Sequence, residues 1–430
     1  MQQQFEHYFD RLWSLNRSLT GEGNRESLRI LSELVDLKVH EIPSGTACFD
    51  WNVPPEWNAR EAWIKDPNGN IVVDFRENNL HLLGYSTPIH AKMSLAELKP
   101  HLYSLPDNPD WIPYRTSYYK ERWGFCLTHN LLISLPDGEY EVFIDSTLDK
   151  NGSMTIADAV IEGETEEEIM FSTYICHPSM ANNELSGPLV QAFLYQAIKA
   201  LGKTRYTYRF AFLPETIGAI YYLSQHGEHL KEKLRAGYVL NCIGDAGKFT
   251  YKRSRQLTSL ADRAAETVLA QTKIGCHAED FFPLGSDERQ YCSPHFDLPM
   301  GSVMRTRYYN YPEYHTSADN KDFISFEAME TSVLRLLDII KLLEANAFYV
   351  NQMPHCEPQL GKRGLYPNLG SDTSTRLRVG AMMWTLNLAD GKHDLIDIVR
   401  RSGQPVSEIL EVVKTLVEHG LLVLATSVAE

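Results

Sequence analysis

Between 162 and 344 the chain alternates near-continuous apolar runs with longer segments of helical periodicity, and this alternation constrains the fold more than any other feature. The runs at 168–176, 206–213, 236–243 and 298–304 read as strands, and 185–200, 217–228, 257–272 and 327–344 read as helices. Strands that are apolar throughout are buried on both faces. Strand–helix–strand order therefore predicts an α/β sheet covered by helices on both sides. Ligands of such sheets collect beyond the carboxyl ends of the strands, so the residues following each strand are where chemistry is expected.

The flanks have a different texture. Apolar positions from Phe5 to Val35 keep helical spacing around a break at Thr20-Gly21-Glu22-Gly23-Asn24, which predicts two helices joined by a turn. From 39 to 162 short alternating runs are separated by Pro, Asn, Asp and Gly, the pattern of a β-rich module. That module holds five of the seven tryptophans, Trp51, Trp57, Trp63, Trp111 and Trp123. They serve its packing, or shape a substrate gate or a homo-oligomer surface. Residues 351–373, rich in Pro and Gly, read as a linker. Helical segments followed by a short apolar strand predict a small winged helix at 374–430.

Composition excludes several classes. With 41 Lys+Arg against 56 Asp+Glu the formal charge is −15, which argues against nucleic acid as the main partner. The winged-helix segment repeats this balance, with 6 basic against 7 acidic residues in 375–430. Peptide or subunit docking is expected of it before DNA. No apolar stretch reaches the length of a membrane span, and the first residues lack the basic start and apolar block of a secretory leader. Seven scattered cysteines, never spaced as C-x-x-C, read as reduced thiols. A cytoplasmic location is expected.

Each predicted strand ends in polar residues of a particular kind. The first runs into Cys176-His177 and then Asn182-Asn183-Glu184-Leu185-Ser186-Gly187, and the second into Pro214-Glu215-Thr216-Ile217-Gly218. The third ends in Asn241-Cys242-Ile243-Gly244-Asp245, and the last is followed by a Tyr-rich loop and Glu313-Tyr314-His315-Thr316. Any one of these is a structural histidine or a helix-capping glutamate as readily as a site. Together they are the ligand types of a hydrolytic zinc centre, which needs neutral imidazoles, an open position for water and a carboxylate to take that water's proton.

The order His, Asn-Asx-x-x-Ser-Gly, Glu-x-x-Gly, a strand ending in Asn, and Tyr-His-Thr resembles the zinc metallo-aminopeptidases. More closely, the whole chain resembles a bacterial aminopeptidase-like family. The phrases that carry the likeness include Asn16-Arg17-Ser18-Leu19-Thr20-Gly21-Glu22-Gly23, Pro54-Pro55-Glu56-Trp57, Trp123-Gly124-Phe125-Cys126 and Gly285-Ser286-Asp287-Glu288-Arg289-Gln290-Tyr291. The resemblance implies a zinc-aminopeptidase-like (phosphorylase/hydrolase-like) α/β domain with a mixed sheet, made of 1–38 and 163–350. It further implies a β-rich domain inserted at 39–162 and a C-terminal winged helix. By the same resemblance His177 and His315 are metal ligands and Glu215 is the general base. Departures follow from the residues themselves: Asn183 stands where the peptidases bridge two metals with Asp, Thr216 where a ligating Glu is expected, and Asn241 where Asp is expected. One zinc ion, held by His177 and His315 with help from Asn183, is therefore expected in preference to two.

Arg289 offers a planar two-point contact for a substrate carboxylate, Asp287 or Glu288 a partner for a substrate ammonium, and Asp245 and Tyr314 further contacts. The run Lys252-Arg253-Ser254-Arg255 reads as a solvated basic face. The expected activity is metal-dependent hydrolysis of an amide next to a free amino group, on a small peptide or aminoacylated metabolite. Two alternatives remain open: a weakened peptidase fold acting as a binding module, with the winged helix docking a peptide, subunit or DNA, and an amidase or deacylase acting on an amino sugar or secondary metabolite.

Overall fold

A computed structural model describes residues 1–365 and 373–425, and the chain falls into two compact units. The first comprises 1–261 and 277–334; the second comprises 262–276 and 335–430. Among the described residues no helix is long and apolar enough to cross a membrane.

An eight-stranded sheet runs through the first unit in the order Lys38–Pro43, Ser153–Ile161, Thr207–Leu213, Glu168–Tyr174, Leu234–Leu240, Met300–Met304, Phe249–Lys252, Cys276–Glu279. Its four inner strands, from Thr207–Leu213 to Met300–Met304, are mutually parallel, whereas Ser153–Ile161 and Phe249–Lys252 pair antiparallel outside them. Every residue of Glu168–Tyr174 is buried, as expected of a strand covered on both faces. The expected helices are present as Ser186–Ala200, Ile217–Lys233, Leu260–Leu269 and Phe326–Ala345.

After Glu168–Tyr174 the chain adds Thr207–Leu213 on one side of that strand and Leu234–Leu240 on the other. The order reverses there, so a crevice opens at the carboxyl end of Glu168–Tyr174. His177 stands three residues beyond that strand.

The expected insert boundaries shift inward. Lys38–Pro43 and Ser153–Ile161 are partners in the main sheet, with Lys38 opposite Asp158 and Pro43 opposite Ser153, so both belong to it rather than to the β-rich module. What lies between is a four-stranded antiparallel sheet in the order Ile71–Asp74, Glu56–Lys65, Glu139–Asp149, Ile89–Ser94, with two smaller two-stranded pairings, one antiparallel and one parallel. One hydrophobic cluster joins Trp57, Ile64, Phe125 and Tyr140 of this module to Met154, Met170 and Leu213 of the main sheet and to Ile217 of the helix Ile217–Lys233. At the entry Thr20 Oγ1 meets the Tyr85 hydroxyl at 2.6 Å and accepts from the Trp57 N–H at 2.9 Å. Gly21 follows at φ 103°, where an added Cβ would lie 2.3 Å from the Trp57 carbonyl oxygen.

In the second unit Phe348–Asn351 pairs with both Asp390–Asp394 and Leu422–Leu424, making a three-stranded sheet beside the helices Thr373–Leu388, Leu395–Ser402 and Val406–Glu418. The wing thus includes a strand placed before the expected linker. Residues 366–372 of that linker and 426–430 of the expected winged helix lie outside the described residues.

Candidate active site

The strand Glu168–Tyr174 continues through Cys176-His177 into a π-helical turn, Ala181–Leu185, and then the helix Ser186–Ala200. His177 is buried, its ring lying 5.1 Å from Tyr174 and 5.2 Å from Tyr114 between centroids. Nδ1 lies 2.7 Å from Glu184 Oε2, and Nε2 lies 3.6 Å from Glu215 Oε2. Burial first, and the Arg17 charge second, push the imidazole down to about 3, so it is neutral near pH 7.

Glu215 follows Thr207–Leu213, and its N–H donates to Cys176 Sγ at 3.2 Å. Thr216 then adopts φ 66°, ψ −76°, a conformation a β-branched residue keeps only when its surroundings enforce it. Here its N–H donates to Asp287 Oδ1 at 2.7 Å and its hydroxyl accepts from Arg289 at 2.7 Å. Burial, reinforced by the negative Asp287, raises the Glu215 carboxyl well above its usual range. Burial likewise pushes Asp287 up to about 7. Two such neighbours share protons, and their titration belongs to the pair.

His315, at φ 57°, brings a second ring to within 5.5 Å of His177. It is stacked on Tyr314 at 3.9 Å, meets Tyr114 edge-on at 5.0 Å, and its buried Nε2 has no hydrogen-bond partner. Asn183 accepts from the Tyr174 hydroxyl through Oδ1 at 3.1 Å, and its buried Nδ2 is likewise unpartnered. Asn241 donates to Ser286 Oγ at 3.0 Å and leaves Oδ1 without a partner.

Two expected contact residues are committed elsewhere. Asp245 accepts from Asn182 Nδ2, the Gly247 N–H, and both the N–H and hydroxyl of Thr306, at 2.6–3.0 Å. Its carboxylate is a structural clamp. Glu288 is fully buried against Lys252 Nζ at 2.6 Å. Lys252, expected on a solvated face, instead sits 3.7 Å over the Phe282 ring and donates to the Leu284 carbonyl. Tyr314 packs on His315 and does not line the cavity described next.

That cavity, about 280 Å³, has a polar end formed by His177, Glu215, Thr216 and Arg289 and an apolar wall of Leu19, Trp51, Tyr118, Tyr119 and Ile217. Trp51 and Tyr119 remain 40% and 51% exposed, so they form its rim, whereas Trp57 is core.

The sequence reading missed four participants. Arg17 and Glu184 are a fully buried pair behind His177. Cys176 receives the Glu215 N–H, and Asp319 accepts the N–H groups of Asn182 and Asn183 at 2.6 and 2.9 Å. A signal did exist, because Arg17 and Glu184 are lone charges inside otherwise uncharged stretches, Leu12–Thr20 and Pro178–Leu194.

A family profile described as a domain of unknown function (DUF4910) matches residues 6–346, and a winged helix-turn-helix profile matches 347–424. A curated relative from Clostridium acetobutylicum, a candidate polysaccharide biosynthesis protein with an aminopeptidase-like domain, is 46% identical over 400 residues, covering 93% of this chain and 91% of the relative. The chain belongs to this aminopeptidase-like family. A crystal structure of a candidate peptidase from the same organism superimposes with TM-score 0.92 at 43% identity, covering 99% of this chain and 96% of that one. Two more distant structures share the fold. The zinc aminopeptidase BSAP from Bacillus subtilis gives TM-score 0.56 at 11% identity over 78% of this chain and 93% of that one. A peptidase M28 precursor from Shewanella amazonensis gives 0.54 at 14% over 78% and 90%.

The family's structural neighbours include zinc aminopeptidases, so fit to zinc can be tested on the donors. His177 and His315 are neutral imidazoles whose Nε2 atoms make no hydrogen bond, and Glu215 is the carboxylate nearest His177 Nε2. By donor type this set suits one cation, although its donor atoms do not all lie within 4.8 Å of one another. Asn183, Thr216 and Asn241 bring no negative charge beside it. Among the described residues the only His/Cys/Asp/Glu trio with donor atoms within 4.8 Å of one another is Cys176, His177 and Glu184. There Glu184 already serves Arg17 and Nδ1, so the trio is a support for the ring.

Proposed function

We propose that this chain is a metal-dependent, aminopeptidase-like hydrolase acting on an amide next to a free amino group in a small peptide or aminoacylated metabolite. The observation that carries the reading is the apposition of His177 Nε2 and Glu215 at 3.6 Å on the polar end of an otherwise apolar cavity. At about 280 Å³ that cavity is at the small end for ligand sites, which supports a substrate part no larger than one amino acid or one sugar.

His177 and His315 would hold one zinc ion, with Asn183 beside them. When bound, such an ion polarises the scissile carbonyl and lowers the pKa of a water. The chain supplies the rest. Glu215 takes the proton of the attacking water and returns it to the leaving amine. Asp287, expected to meet a substrate ammonium, is buried, accepts the Thr216 N–H and does not line the cavity, so it acts on Glu215 instead, and the Tyr rim excludes water. Arg289 is fixed by donating to the Gly285 carbonyl and the Thr216 hydroxyl, which leaves other N–H groups for an anionic group on the substrate. Of the seven cysteines, Cys48, Cys126, Cys176, Cys242 and Cys356 are free thiols, which supports a reducing, cytoplasmic setting.

Glu215→Gln tests the assignment. Removing a proton shuttle costs about 10²–10⁴-fold in turnover, so the variant should fold, bind zinc as the parent does, and lose kcat by that order on a panel of aminoacyl amides. Full activity in a zinc-loaded variant would overturn it. The same panel should include N-acylated amino sugars, because the relative named for polysaccharide biosynthesis supports a deacylase as the second reading. If the purified chain holds no zinc even after dialysis against it, the amides at Asn183 and Asn241 favour a binding module instead.

A further inference from the structure

A buried charged pair of the first unit lies directly behind His177. Arg17 and Glu184 are 1% and 0% exposed, with Nε 3.7 Å from Glu184 Oε1. Arg17 comes from the segment after the first helix, where Nη1 donates to the Leu12 carbonyl at 2.5 Å and Nε donates to the His177 carbonyl at 3.1 Å. Glu184 comes from the π-helical turn, whose N–H groups at Asn182 and Asn183 are held by the Asp319 carboxylate. Two separate segments thus meet at His177, Arg17 on its carbonyl and Glu184 on its ring, while Asp319 steadies the turn that carries Glu184.

Stability does not account for the pair. Burying two charges costs as much as their attraction returns unless the geometry is complete. Here Arg17 Nη2 and Glu184 Oε1 are buried without a hydrogen-bond partner. What the pair does accomplish is orientation. Burial raises the Glu184 carboxyl well above its usual range while the Arg17 charge draws it down; a guanidinium keeps its charge at any physiological pH and a buried cation requires a counter-charge, so Glu184 is the carboxylate that answers Arg17. Its other oxygen lies 2.7 Å from His177 Nδ1. A carboxylate there accepts from Nδ1–H, and the lone pair of the neutral ring then sits on Nε2, the atom facing Glu215.

We propose that Glu184, anchored by Arg17, is a positioning residue that fixes the tautomer and the aim of His177, presenting an Nε2 lone pair to the reaction centre. It deepens the hydrolase reading, on which its importance for function rests. Cys176 Sγ, at 3.5 Å from the same Nδ1, is a weaker competitor for this role because a thiol is a poor acceptor.

The test reads the tautomer itself. In the full chain labelled with 15N-histidine and kept free of added zinc, long-range 1H–15N correlation, assigned with His177→Gln, should show His177 as the neutral Nδ1–H form at pH 7. A neutral Nε2–H form would overturn the proposal. Glu184→Ala should shift the ring to the other tautomer or a mixture, and Glu184→Gln, which keeps an acceptor oxygen, should retain the parent form. Zinc affinity by competition titration should fall about 10–100-fold in the Ala variant, the usual effect of losing a ligand's supporting carboxylate, and less in the Gln variant. An Ala variant with the parent tautomer and affinity would also overturn it. Should Glu184→Ala fail to fold, the parent resonance decides alone. Because that resonance is read without zinc, failure of the chain to bind zinc would sink the metal reading and not this one.

Discussion

Glu215 has to be ionised to take a proton, yet burial and the adjacent Asp287 both favour its neutral form. Activity should therefore fall as pH drops through this raised value, and the position of that acid limb reports on the neighbour. Asp287→Asn keeps an oxygen to accept the Thr216 N–H but removes the repulsion. The expected outcome is an acid limb of kcat/KM moved toward lower pH, measured on the best amide from the panel. A limb that stays in place would mean Asp287 does not act on the base. At this scale the gathering of His177, Glu215 and His315 was legible because the strand ends of an α/β sheet face one crevice. Arg17 and Asp319 were not, since their partners lie 167 and more than 130 residues away in sequence, as Arg17–Glu184 and Asn183–Asp319 show.

Elements join at the insert through charges as well as through the shared core. Arg25, on the helix Glu22–Leu31, donates to Glu56 Oε1 and Oε2 at 2.8 and 2.7 Å, to Glu41 on Lys38–Pro43 and to Ser153 on Ser153–Ile161. Hydrogen bonds from Arg25 hold the Glu56 carboxyl down to about 2. A folded-state value below the unfolded one gives stability that is present above the unfolded pKa and lost as pH falls through the folded one. Arg25→Met should therefore cost about 1–2 kcal/mol at pH 7, a figure kept low by solvent screening, with the difference from the parent shrinking as pH falls from about 4.5 toward 2 in urea titrations. A constant difference over that range would show that packing, not charge, carries the effect. The strands of the sheet interior were legible from their unbroken apolar runs. The outer pair was not: Lys38–Pro43 exposes all but Ile42, so its pattern is that of a free hairpin, and only its register with Ser153–Ile161 reveals the sheet it belongs to.

On the scale of the whole chain, the winged helix was legible as a class and its edges were not, because Phe348–Asn351 is separated by nearly forty residues from the next strand it pairs with. Its charge determines what it can bind. Within the second unit Arg263 donates to Asp394 and Asp397 at 2.7 and 2.8 Å, Arg400 reaches Glu266 at 3.5 Å, and Arg401 meets His393 Nε2 at 2.7 Å. Several of its basic side chains are thus spent on internal partners. The helix Val406–Glu418, the last before the wing strand, carries Glu408, Glu411 and Glu418 against Lys414 alone. Phosphate contacts supply most non-specific DNA affinity, and a protein with so few free cations cannot neutralise many phosphates. The full chain should leave a duplex unshifted in a gel at low salt, and Arg400→Glu with Arg401→Glu should change nothing. Tight binding abolished by that double change would instead make this unit a DNA reader, and the peptidase fold of the same chain would then need a substrate brought to nucleic acid.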